Sequence, residues 1–106
     1  MNKFEAVLLF SPDLTANIIE QEEKDFKDQL SKIEGSVINN EDWGLRDLSY
    51  NIKSNKKAFY KFYQIEMSGN KLEDLKKTLN QNEKLLRYLF IKVNEHEKLP
   101  TKLIKN

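Results

Sequence analysis

The side chains best placed to do chemistry in this chain are basic. Lys53, Lys56, Lys57 and Lys61 crowd one short stretch, with no acid among residues 53–61. A lysine there is a mobile point charge able to displace counterions from phosphate; the same spacing also suits a solvated turn. Arg46, just past Gly44, can fork onto a phosphate or a carboxylate. Arg87 is a further candidate, with an ion pair to Glu5 or Glu66 as its structural alternative. Catalytic patterns are missing. The chain has no cysteine, which excludes disulfides, thiolate metal sites and thiol nucleophiles, and one histidine, His96, which excludes a multi-histidine metal centre. No nucleophile or orienting acid accompanies His96. Glu20, Glu22, Glu23, Asp25 and Asp28 fall at helical intervals and read as a solvated face, not as paired catalytic carboxylates. The glycines are isolated, so no phosphate-cradling loop is present. No cofactor and no small-molecule substrate is expected.

The bulk composition narrows the partner question. With 106 residues, 18 Lys+Arg and 17 Asp+Glu, the chain is one domain with a net charge of +1. Affinity for a polyanion therefore has to come from local clusters. No apolar run approaches the ~18 residues of a membrane span. The start, Met1-Asn2-Lys3-Phe4-Glu5, lacks the apolar core of a secretion signal, so a cytoplasmic location is expected.

The hydrophobic periods predict the elements that position these residues. Phe4, Ala6, Leu8 and Phe10 alternate with Val7 and Leu9, which reads as a central strand apolar on both faces. Ile18, Ile19, Phe26, Leu30 and Ile33 predict a helix over 15–34, capped by Thr15 and stopped by Gly35. A long strand runs from Val37 to Lys53. Its Trp43-Gly44 step marks a bulge or bend, after which Leu48, Tyr50 and Ile52 resume a period of two. Ser54-Asn55 turns the chain into a third strand, Ala58 to Met67, and the pair should form an antiparallel hairpin. Asn70 and Glu73 read as a capping pair for a short helix carrying Leu72, Leu75 and Leu79. Leu85 to Val93 is the fourth strand.

This β-α-β-β-α-β order predicts an α+β, ferredoxin-like sandwich: a four-stranded antiparallel sheet with two helices on one face. The domain spans 1–93, and 94–106 is expected to be a flexible tail whose Lys98, Lys102 and Lys105 either order on a partner or fray. Helices on one face leave the other bare. Val7, Leu9, Tyr60, Phe62, Leu89 and Ile91 should point there, forming a contiguous apolar surface of the kind that marks an interaction site. Tyr60 and Phe62 invite base stacking, as on the open sheet of RNA-recognition motifs. Against this, Lys61 stands where such motifs place an aromatic, and a protein partner is favoured. Trp43 is either an exposed anchor or a cover for the bend.

Phe4-Glu5, Pro12-Asp13-Leu14, Trp43-Gly44-Leu45-Arg46 with Leu48 and Tyr50-Asn51-Ile52, Lys57-Ala58-Phe59-Tyr60 and Arg87 together resemble the S-six family of bacterial small-subunit ribosomal proteins. The resemblance spans residues 3–93. It implies a non-enzymatic ribosome component that binds small-subunit ribosomal RNA as a heterodimer with the S-eighteen ribosomal protein and supports subunit assembly and translation. Carried over by position, it implies Lys3, Arg46, Lys53, Lys56 and Arg87 as RNA contacts, beside Lys57 of the basic stretch, and the sheet face together with the C-terminal tail as the partner surface. Asp47, Ser49 and Asn51 depart from the family's common residues, and the basic tail differs from the acidic tails of some members. Two alternatives use the same fold: a module that pairs with its own copy, or a small-ligand-binding regulator.

Overall fold

The computed structural model describes residues 2–96 and residue 98. Seven elements follow in order: β1 (Asn2–Phe10), α1 (Ala16–Lys32), β2 (Ser36–Ile52), β3 (Asn55–Met67), a 3-10 turn (Gly69–Lys71), α2 (Leu72–Asn80) and β4 (Leu85–Val93). The strands form one antiparallel sheet in the order β2-β3-β1-β4. β1, apolar on both faces, sits inside the sheet between β3 and β4. Phe4, Ala6, Leu8 and Phe10 join Tyr63, Ile65 and Met67 of β3 beneath Phe26 and Leu30 of α1 and Leu75 and Leu79 of α2. This is the expected ferredoxin-like arrangement, with its core between sheet and helices.

Local signals explain most boundaries. The Thr15 hydroxyl accepts the Ile18 N–H at 3.3 Å and starts α1. The helix closes two residues earlier than the glycine suggests. Glu34 takes the left-handed position (φ 63°), while Gly35 N–H reaches back to the Leu30 carbonyl at 2.7 Å. Gly35 is required for closeness instead: a Cβ there would lie 3.1 Å from both the Glu66 carbonyl and the Met67 Cβ. Asn70 and Glu73 do not cap α2. Asn70 lies in the 3-10 turn, where its side-chain oxygen accepts from the Ser68 hydroxyl at 2.6 Å. The Trp-Gly step does mark a bulge: the β2–β3 register shifts between Asp42 and Gly44, and Gly44 has φ 75°.

The hairpin tip is built against preference. Ile52 pairs with Asn55, so Lys53 and Ser54 form a two-residue turn with φ 49° and 67°. Such turns favour Asn-Gly, because other side chains strain at positive φ. The double substitution Lys53→Asn, Ser54→Gly is expected to stabilise the domain by about 1–2 kcal/mol. Urea unfolding checks this; an unchanged midpoint would show that the tip is not strained.

Lys61 departs from the sequence reading. It belongs to the helix-covered face, between Phe59 and Tyr63, and is only 7% exposed. Its ammonium sits 2.9 Å from Asp42 and 3.3 Å from Glu23. The Tyr63 hydroxyl donates to the other oxygen of Glu23 at 3.3 Å. A buried ammonium needs such partners, so Lys61 is withdrawn from the basic tip.

Candidate interface on the open sheet face

The pairing register lays three rungs across the uncovered face. The first is Asn39, Gln64, Glu5, Ile91; the second Glu41, Phe62, Val7, Leu89; the third Gly44, Tyr60, Leu9, Arg87. All six predicted apolar residues therefore share one face. They do not share one environment.

On the second rung Trp43 leans back over Phe62, with rings 5.2 Å apart and 10° from parallel. Phe62 is left 2% exposed. The indole also stacks near Tyr60 at 6.4 Å and donates to Glu41 at 3.1 Å. Trp43 is thus the cover of the bend. At the third rung the hairpin arm folds over the sheet: β2 carries extra residues between Asp47 and Ile52, and these bring Leu48 and Ile52 onto Leu9, Ala58 and Leu86. Arg87 ties the arm down, donating to the Tyr50 hydroxyl at 2.9 Å with its guanidinium 5.8 Å from that ring. This replaces the ion pair to Glu5 or Glu66 considered from sequence. Leu9 and Phe62, expected to face a partner, are covered by their own chain. A long arm and a flat indole are the local means of hiding apolar surface. What stays open is Leu89, 54% exposed, and Ile91, 51% exposed, with half-buried Val7 and Tyr60 beside them.

The first rung is polar, which alternation alone did not single out. Asn39 donates to Gln64 at 3.4 Å, and Gln64 donates to Glu5 at 3.2 Å. Gln64 is fully buried, so this network satisfies it. His96, expected in an irregular tail, lies with its Nδ1 3.8 Å from Glu5. Beyond residues 94–96 and 98, the expected flexible tail lies outside the described residues.

The basic candidates separate into two ends. Arg46 donates to the Trp43 carbonyl at 3.1 Å, with its guanidinium 5.6 Å from the indole. Lys53, Lys56 and Lys57 are exposed along the same hairpin, Lys57 3.8 Å from Asp47. Arg87 faces this end. Lys3 does not: it pairs opposite Glu66, whereas Arg46 pairs opposite Ala58, roughly 26 Å along β3 at ~3.3 Å per residue.

Residues 3–92 match the family model described as Ribosomal protein S6. The chain belongs to the ribosomal protein S6 family. It is 33% identical over 106 residues to the small ribosomal subunit protein bS6 of Rickettsia felis, covering all of this chain and 88% of that protein. It is 34% identical, with the same coverage, to bS6 of Rickettsia prowazekii. The fold is similar to the crystal structure of 30S ribosomal protein S6 from Thermotoga maritima, with a TM-score of 0.82 over 87% of each chain at 17% identity. This S6 protein is a structural, non-enzymatic part of the small ribosomal subunit, acting in translation with the ribosome in the cytoplasm. Among the described residues no helix is long and apolar enough to cross a membrane.

Proposed function

We propose that this S6 protein binds small-subunit ribosomal RNA together with the S-eighteen ribosomal protein, and that the heterodimer forms over the open strip of the sheet. The observation that carries the reading is the exposed pair Leu89 and Ile91 beside half-buried Val7 and Tyr60, an apolar strip that the chain's own arm and indole leave uncovered. The hairpin-end cations Arg46, Lys53, Lys56, Lys57 and Arg87 supply the phosphate contacts, and Lys3 supplies a separate one at the far end. With a net charge of only +1, these few cations give weak RNA affinity alone. A basic partner seated on the strip adds the rest.

The test is RNA binding by the purified chain with and without the S-eighteen protein, across a salt series. Weak binding alone that tightens strongly when the partner joins supports the proposal. Equal binding in both arms removes it. A stable homodimer in light scattering that excludes the partner would favour self-pairing instead.

A further inference from the structure

Alternation along β2 puts Leu48, Tyr50 and Ile52 on one side of the strand. Their surroundings differ. Leu48 and Ile52 turn down onto Leu9, Ala58 and Leu86, whereas Tyr50 between them is 63% exposed. The pairing explains the split. Asp47 stands opposite Lys57 and Ile52 opposite Asn55, so residues 48–51 span a gap that β3 fills with Lys56 alone. The surplus backbone arches, and Tyr50 is its crest. Among the described residues it is the most exposed large apolar side chain. A ring left in water forgoes the burial energy that its two neighbours gain.

The ring is nevertheless held in place. Its hydroxyl accepts from Arg87 at 2.9 Å, and that guanidinium sits 5.8 Å from the ring centre, over its face. One face is thus backed by a cation, and the exposure leaves the other open. A guanidinium has five N–H donors, and the bond to Tyr50 uses one of them. Arg87 can therefore hold the ring and grip an anion at once. The surroundings are basic. Residues 48–65 contain no acid, and Lys53, Lys56 and Lys57 are exposed on the same hairpin. The nearest acid along the chain, Asp47, lies 3.8 Å from the Lys57 ammonium. Tyr60 and Phe62, which invite stacking from sequence alone, offer less: Tyr60 is half-buried and Phe62 is shut beneath Trp43.

A fixed, open aromatic face among cations suits a nucleotide whose base is free to stack: the ring takes the base and the cations take the phosphates. A paired base inside a helix has both faces covered by its neighbours. We infer that Tyr50 is a stacking platform for an unpaired nucleobase, with Arg87 and the neighbouring lysines on the flanking phosphates, so that the arm takes a single-stranded or bulged stretch of RNA; this rests on the RNA binding proposed above. Phosphate contacts alone would not make that distinction.

The test is fluorescence of a short single-stranded RNA carrying one 2-aminopurine, and of the same strand annealed to its complement. Each is titrated at low salt with the full chain joined by the S-eighteen protein. The parent should quench the single strand on binding and hold it more tightly than the duplex. Tyr50→Leu, which removes the ring, should abolish the quenching and weaken single-strand binding by about tenfold, with duplex binding little changed. Tyr50→Phe keeps the ring but loses the Arg87 bond. It should restore most of the quenching, which separates stacking from the fastening of the arm. A Tyr50→Leu protein that binds and quenches the single strand like the parent overturns the inference and leaves the RNA reading standing, as does a parent that prefers the duplex. Loss of S-eighteen affinity by Tyr50→Leu without RNA would assign the ring to the protein interface and also overturn it. A parent that binds neither RNA removes the RNA reading and the stacking role together.

Discussion

Replacing Leu89 by Asp is expected to weaken association with the S-eighteen protein by at least about a hundredfold, or ~2.7 kcal/mol, while the domain stays folded. The asymmetry follows from where the side chain sits. Leu89 is 54% exposed at the centre of the open strip, so an acid there remains hydrated in the free protein and shifts stability by only about 0.5 kcal/mol. In the complex the same carboxylate would be stripped of water against an apolar partner surface, and no cation in the second rung can compensate it. Phe62→Asp makes the necessary contrast. Its ring is shut beneath Trp43, so that change should unfold the protein at ordinary temperature. Titration calorimetry with the partner, alongside thermal melts of both variants, reads the two effects apart. A Leu89→Asp protein that melts normally and binds normally would show that the strip is not the contact surface.

Lys61→Met should cost about 2–4 kcal/mol of folding stability. Methionine keeps the aliphatic contacts and strips Glu23 and Asp42 of their shared cation. The cost stays below that of a fully buried pair because Asp42 is largely exposed and can rehydrate. The substitution also changes the response to pH. Burial pushes the Asp42 carboxyl up, but the Lys61 hydrogen bond, the Gly44 N–H and the Lys61 charge outweigh it and hold the group below the usual carboxylate range. Its contribution is therefore present above pH ~4 and is lost as the pH falls through the lower folded value. For Lys61, burial acts downward, but the Asp42 hydrogen bond and the charges of Glu23 and Asp42 raise it above the usual lysine range. That contribution is complete below pH ~10.4 and disappears as the pH climbs through the folded value. Urea midpoints of the parent should drop at both extremes. Those of Lys61→Met should be lower in the middle and flatter at each end; identical profiles would show that the cluster stores no stability.

Much of the open sheet face was legible in the sequence, and the residues that were misread share a cause. Alternation placed Val7, Leu9, Tyr60, Phe62, Leu89 and Ile91 on one side correctly, because side-chain direction in a strand has a fixed period of two. Exposure is a different property. Leu9 and Phe62 were hidden by residues far from them along the chain, Leu48, Ile52 and Trp43. The Gly44 bulge showed in the sequence as a glycine, whereas the extra residues near Tyr50 that carry the arm across the sheet had no local signature. Lys61 looked like one more cation in a basic run; the period of two puts it on the side of Phe59 and Tyr63, but its partners there, Glu23 and Asp42, arrive from other elements. Nothing local in the sequence singles out Gln64, whose burial depends on Asn39 and Glu5 arriving from two other strands.

The amino-acid order alone determined the element sequence, the side of the sheet each strand residue faces, the lack of cysteine chemistry and the family resemblance. Each of these depends on contacts or periods a few residues long. Tertiary structure alone decided which apolar side chains remain available and which cations are spent on internal pairs. Those outcomes depend on which distant segments meet, and a side chain's hydration is set by its neighbours in space, not by its neighbours in the chain.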